Sequence, residues 1–338
     1  MAPRSVADRN FGCRDVEHAS HYRLFGMALR LTVQRAAWES HIDSVASNVD
    51  GLVPVVKGNG YGFGRATLHP LIKGLSDFVC VGTIHELDGV ADRVTPIVLT
   101  PTLVPPASPQ VVLTVGSVDD IAALAGWHGR VIIKLQSSMR RYGATLTELD
   151  AVIAAARAAA FGIIGYSLHL PLAGTEHDRL AEVDRCLDHI DPRQPLWLSH
   201  LQPQTYSALR ARRPDQQFRL RLGTALWHGD KSFLQLHAEV VAVHPVREGD
   251  HAGYHLTEIA ADGHIVLIGA GSAHGVAPLP NGASPFHFER HRLELLEPPH
   301  MHTSMIVVPA GSPCPAVGDR VDVQRPLITT LVDEIEWV

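Results

Sequence analysis

The chain has 338 residues, 46% of them hydrophobic and 19% charged, enough to bury one large core and a second, smaller one. Its formal net charge of −6, with acidic and basic residues interspersed, forms no basic stripe to track a phosphate backbone and argues against nucleic acid as a partner. No apolar run approaches the roughly eighteen residues that cross a bilayer, and the polar start of the chain lacks a signal-peptide core, so the expectation is a cytoplasmic protein that binds no membrane.

In chain order, residues 28–34 (ALRLTVQ) read as a strand, which closes an N-terminal segment, 1–35, and is expected to pair with β structure late in the chain. Eight short apolar, β-branched runs follow, at 53–56, 78–82, 96–99, 111–115, 131–135, 163–169, 196–199 and 218–222. Several intervals between them have amphipathic helical character. The clearest is TLTELDAVIAAARAAA, where Thr145 and Glu148 form a capping-box pattern ahead of an alanine-rich stretch. Eight strands alternating with helices predict an α/β fold, a (β/α)8 TIM barrel over residues 36–229. The proline-rich TPTLVPPASPQ between the third and fourth runs predicts a reduced helix there. After Gly229 the texture changes to short valine-rich runs broken by Gly and Pro, among them HAEVVAVHPV, HIVLIGAG, MIVVPAG and RVDVQRP. This predicts a C-terminal all-β domain over 230–338.

Side-chain counts narrow the chemistry. The four cysteines, Cys13, Cys80, Cys186 and Cys314, form no CxxC pair, which suits a reducing compartment and offers no structural zinc site. Histidine is abundant at 21, and HFERH (287–291) and HMH (300–302) have ligand-like spacing, but nothing before His287 promises the helix that would turn two histidines toward one ion. No metal is expected. Only four of the 29 Lys and Arg residues are lysines, and two of these, Lys57 and Lys134, stand at the ends of apolar strand-like runs. An amine can act as a nucleophile, form a Schiff base or take up carbon dioxide, and a guanidinium cannot. Two snorkelling strand-end lysines remain the alternative.

Chemistry in a barrel of this kind sits at the carboxyl ends of the strands. Lys57 ends the first run, Lys134 lies in the fifth with Arg141 beyond it, and His169 ends the sixth. Gln204 and Thr205 follow the seventh, and Arg221 ends the eighth ahead of Gly223 and Thr224, where such barrels often bind phosphate on backbone N–H groups. An amine, a phosphate cradle and an arginine at one mouth suggest a phosphorylated aldehyde cofactor. Arg219 and Arg221 share one face of the last strand, so their register rests on the following glycine. His169 alone also fits a core histidine, and Tyr254 in DHAGYHLTE also fits a turn aromatic.

The stretch VVKGNGYGFG, residues 55–64, resembles the cofactor-lysine motif VVKANAYGHG of the alanine racemases. Further segments resemble that family in the same order: KLQSSMRRYG its K-x-D-T-G-M-x-R-x-G, LHL its T-H-F, RLGTALWHG its R-x-G-I-x-x-Y-G, and AGYHLT its V-G-Y-G-G-T. PHMHTSMIVV falls where the family has S-M-D-Q-L-M-V-D-V, so that the resemblance spans about residues 30–330. It implies pyridoxal 5'-phosphate held by Lys57, with Tyr61, Thr205, Gly223 and Thr224 around its phosphate, His169 against the ring and Arg221 facing the pyridine nitrogen. It further implies that Lys134, often a carbamate in the family, positions Arg141, that Tyr254 is the second acid/base reaching in from a partner subunit, and that Met301 helps shape the substrate pocket.

The implied activity is racemisation of a small amino acid, alanine to D-alanine first, by a homodimer with shared active sites. A related barrel-fold decarboxylase of basic amino acids and a non-catalytic pyridoxal phosphate-binding or regulatory protein are the alternatives. The first is disfavoured because its glycine-rich phosphate loop and catalytic cysteine segment are missing. The second is disfavoured because such proteins usually consist of the barrel alone. The sequence departs from the family at Gln136 and His302, each in place of an aspartate, and at GAGSAHG (269–275), in place of G-Y-A-D-G. These changes leave the choice of amino acid open.

Overall fold

The computed structural model describes residues 29–338; Cys13 and the greater part of the N-terminal segment lie outside the described residues. The chain opens with β1 (Leu29–Val33), whose alternating burial marks a strand with one face in a core, and α1 (Arg35–Asn48), which buries Trp38 and Ile42 one turn apart. Eight parallel strands follow: β2 (Leu52–Pro54), β3 (Phe78–Val81), β4 (Thr95–Val98), β5 (Val112–Val115), β6 (Arg130–Lys134), β7 (Gly162–Ser167), β8 (Leu196–Leu198) and β9 (Phe218–Leu222). Their order is β2-β9-β8-β7-β6-β5-β4-β3. The sheet closes where Val55 bridges Cys80 and Val56 N–H donates to the Cys80 carbonyl at 2.8 Å. This is the TIM barrel that the eight apolar runs predict.

Helices α2 (Arg65–Ile72), α3 (Val118–Ala123), α4 (Leu149–Ala158), α5 (Glu176–Leu187), α6 (Pro203–Arg212) and the short α7 (Thr224–Trp227) fill six of the strand-to-strand and strand-to-sheet connections. The proline-rich stretch between β4 and β5 forms no helix at all, as expected of a segment whose rings remove donors and clash with the preceding turn. The β3 to β4 connection likewise keeps only a single 3-10 turn, Ile84–Glu86, and Glu86 folds back onto the N–H of Gly82 at 2.7 Å. Thr145 and Glu148 do exchange the expected bonds, with Glu148 Oε2 accepting from Thr145 N–H at 3.0 Å, just ahead of α4.

The rest of the chain is β structure: β10 (Leu234–Val246), β11 (His251–Ala252), β12 (Thr257–Glu258), β13 (Gly263–Ile268), β14 (Phe286–Phe288), β15 (His291–Arg292), β16 (Glu294–Leu295), β17 (Ser304–Pro309), β18 (Arg320–Val323) and β19 (Glu334–Trp337). All but the β11–β12 hairpin join a nine-stranded sheet around the long β10. β1 pairs antiparallel with β10 and parallel with β19, so the first and last described strands lie side by side. His287 and His291 sit on the antiparallel pair β14 and β15 rather than on one helical face. Among the described residues no group of three or more His, Cys, Asp or Glu side chains is placed to hold a metal ion, and no helix is long and apolar enough to cross a membrane.

Candidate active site

The lysine of VVKGNGYGFG stands where β2 ends, and the loop after it is tied down on both sides. Glu86 accepts the N–H of Gly58 at 3.1 Å, and the Asn59 amide donates to the carbonyls of Leu327 and Thr330, each at 2.7 Å, joining the barrel mouth to the β domain. Gly62, at φ +93, lies so close to Leu327 that an added Cβ would come within 2.9 Å of the leucine Cβ. Tyr61 itself takes a left-handed φ of 58, a conformation costly for a bulky residue, and His228 Nε2 bonds its carbonyl at 2.7 Å. The ring of Tyr61 is buried, and burial pushes its hydroxyl pKa upward, so the group is a proton donor at any physiological pH.

Four cations converge at this mouth. Lys57 is accessible to solvent, yet the pKa of its amine is lowered by partial desolvation and by the charges of Arg141 and Arg221, against smaller opposing effects of Glu86 and Cys80. Lys134 is buried at the end of β6, and burial together with Arg221 and Arg141 holds it well below the ordinary lysine value. Its register neighbour on β7 is Ser167, whose buried hydroxyl has no hydrogen-bond partner. Arg221 is also buried; its Nη2 donates to the Leu168 carbonyl at 2.8 Å and its Nε to the Leu198 carbonyl at 3.3 Å. Arg219, two residues earlier, belongs to the barrel floor, its guanidinium 4.9 Å from the Phe78 ring and 5.1 Å from Trp197. The register left open by alternation is thereby fixed, with Arg221 at the mouth. So many like charges favour an anionic ligand that neutralises them.

His169 and His200, at the ends of β7 and β8, pack with ring centroids 4.5 Å apart. His169 Nδ1 shares a 2.6 Å hydrogen bond with Ser199 Oγ, while His200 Nδ1 reaches the Leu170 carbonyl at 2.7 Å from a backbone with φ 63. Burial first, then Arg221 and Lys134, drives the pKa of His169 down to about 2. We expect its imidazole to stay neutral between about pH 5 and 8, where an ordinary histidine titrates, as an NMR titration of its ring resonances will show. The unfolded chain takes up that proton below its ordinary 6.5 and the folded chain only near 2, so this residue costs the fold stability as pH falls through that window. Ser199, His200 and Glu86 are the site residues that sequence reasoning missed.

Gly223 caps α7 and meets Tyr61: a Cβ there would lie 2.0 Å from the Tyr61 hydroxyl oxygen. Only glycine permits that approach, which sets the phenol beside the start of α7, where Thr224 is the first residue. Thr205 stands apart. It lies in the first turn of α6, beside the Glu176 carboxylate that accepts the Gln202 N–H at 3.0 Å. Arg141 is exposed beyond β6, its guanidinium 5.1 Å from the Tyr142 ring. Tyr254 is 83% exposed at the tip of the β11–β12 hairpin, and Met301 is exposed beside His300, whose ring lies 4.3 Å from that of Tyr254. Both belong to the β domain.

Fold and site together define a class, a parallel barrel with an appended β domain that gathers its amines and arginines at the strand carboxyl ends. Residues 33–230 match the model of the family described as alanine racemase, N-terminal domain, and the chain belongs to that family. Among solved structures it is similar to the alanine racemase of Bartonella henselae with covalently bound pyridoxal phosphate, at 17% identity and a TM-score of 0.70, over 93% of this chain and 100% of that one. It is also similar to the alanine racemase of Bacillus anthracis with bound L-Ala-P, at 16% identity and a TM-score of 0.70, over 88% and 86% of the two chains. A third is that of E. faecalis, at 17% identity and a TM-score of 0.66, over 93% and 99%. At these identities the likeness is one of fold. A search of curated protein sequences finds no match.

Proposed function

We propose that the protein is a pyridoxal phosphate-dependent racemase of a small amino acid, alanine first, acting as a homodimer with shared sites. The observation that carries this reading is the placing of the Lys57 amine and the Tyr61–Gly223 contact at one barrel mouth. A protonated phenol, a helix start and surrounding cations suit a phosphate dianion, and an amine whose pKa is lowered suits the aldehyde of the cofactor. The residues present therefore fit the group. Bound there, it would supply an electron sink that acidifies the α C–H of an attached amino acid.

This chain's residues supply the rest. Lys57 would hold the cofactor covalently and, once released, move a proton at the α carbon from one face. The partner's Tyr254 would move it at the other, and a proton leaving one face and returning to the other inverts the centre. Arg221, locked on two carbonyls, would meet the ring nitrogen as a donor that never gives up its own proton, keeping that nitrogen unprotonated and limiting side reactions. Lys134 has the suppressed basicity needed to take up carbon dioxide and would then pair with Arg141. The dimer is supported by exposed apolar residues in two sets: Met139, Tyr142 and Leu172 after barrel strands, and Tyr254, Leu256 and Met301 on the β domain.

The test is incubation with pyridoxal phosphate and a panel of L-amino acids, followed by chiral separation. D-alanine is the expected product. No D-isomer from any of them, with the absorbance of lysine-bound cofactor intact, overturns the racemase and leaves a binding protein.

A further inference from the structure

The hairpin that carries Tyr254 does not hold itself. Its two strands are two residues each, and the tyrosine is exposed at the tip. What fixes it is a carboxylate from 43 residues away: Glu297 Oε1 accepts the N–H of Tyr254 at 2.8 Å, and Oε2 accepts the N–H of His255 at 3.1 Å. Gly253, at φ +78, lets the carboxylate under the turn, since a Cβ there would lie 2.5 Å from Oε1. Glu297 is 7% exposed and also takes a hydrogen bond from His300 Nε2, and the His300 ring packs on Tyr254. Pro298 and Pro299 restrict the backbone between the glutamate and that histidine.

We propose that Glu297 is a positioning residue for the Tyr254 acid/base: it clamps two successive N–H groups of the hairpin while His300 braces the ring. The proposal rests on the racemase reading given above. Charge-assisted bonds to backbone N–H groups are among the stronger hydrogen bonds, and a buried carboxylate that loses its partners is costly, so hairpin and glutamate hold each other. Burial alone would raise the carboxyl pKa of Glu297, and the bonds from Tyr254, His300 and His255 outweigh it and keep the group ionised. The His300 and Met301 carbonyls in turn accept the N–H groups of Ser272 at 2.7 Å and Ala273 at 2.9 Å. The stretch 297–301 therefore holds the hairpin through Glu297 and is itself held through the His300 and Met301 carbonyls.

The test separates the two faces of the reaction. In deuterium oxide, each pure alanine enantiomer loses its α-proton to one base and receives a deuteron, so exchange of each enantiomer reports one base. In Glu297→Ala, exchange of the enantiomer whose proton faces Tyr254 is expected to fall roughly tenfold to a hundredfold, the cost of a misplaced catalytic group. The enantiomer whose proton faces Lys57 exchanges at close to the wild-type rate, and the absorbance of lysine-bound cofactor is unchanged. Glu297→Gln, which keeps the side-chain volume, is the second variant and shows a smaller fall of the same one-sided kind. An equal fall for both enantiomers, or none, overturns the positioning role. Wild-type protein that exchanges neither enantiomer overturns the racemase reading instead, and this assignment with it.

Discussion

Lys57→Ala is expected to lower the proposed racemisation by roughly 10⁴-fold or more, the scale of losing a nucleophile and a proton carrier in one residue, and to remove the absorbance of lysine-bound cofactor. Lys57→Arg is expected to do no better. Arginine would keep the positive charge that opposes a phosphate, but its guanidinium cannot deprotonate to attack an aldehyde or exchange a proton at carbon. The pair of variants therefore separates charge from amine chemistry. The surroundings of Lys57 shift it toward the free amine: desolvation and the two arginines lower its pKa, and the opposing carboxylate of Glu86 is engaged with the N–H groups of Gly58 and Gly82. Substantial racemisation by Lys57→Arg, measured by chiral separation of product, would remove Lys57 from the chemistry and return it to the role of a surface cation.

How far the site could be read in advance follows from what each contact depends on. The strand-end residues were legible because a parallel barrel puts every strand's carboxyl end on one side, so locating eight runs locates Lys57, Lys134, His169 and Arg221 relative to one another. The scarcity of lysine singled out two of them. Partners separated by long stretches of chain were not legible. Glu86 reaches Gly58 across 28 residues, Ser199 reaches His169 across 30, and Glu297 reaches Tyr254 across 43, with no local pattern to announce any of them. The helices lost around β4 show a different limit. Proline content foretold one, while the other connection keeps only the short turn Ile84–Glu86, which the hydrophobic periodicity does not announce. Thr205 follows β8 in the first turn of α6, a placement that chain order alone gives.

Mixing two inactive variants, Lys57→Ala and Tyr254→Phe, should restore activity that neither has alone. Tyr254 stands 83% exposed on a β-domain hairpin, its N–H bonded to Glu297 and its ring packed on His300. The proposed site, built from Lys57 of one protomer and the partner's Tyr254, makes a clear demand on a mixed dimer: one site carries both substitutions and the other carries neither. Random reassortment in a two-fold dimer gives half heterodimers, each with one intact site of two, so activity should recover to about a quarter of the wild-type level. Recovery must follow subunit exchange, rising as the mixture is held under conditions that let dimers dissociate. If both residues of a working site came from the same protomer, no mixed dimer could contain an intact site, and the mixture would stay as inactive as its components however long it was held.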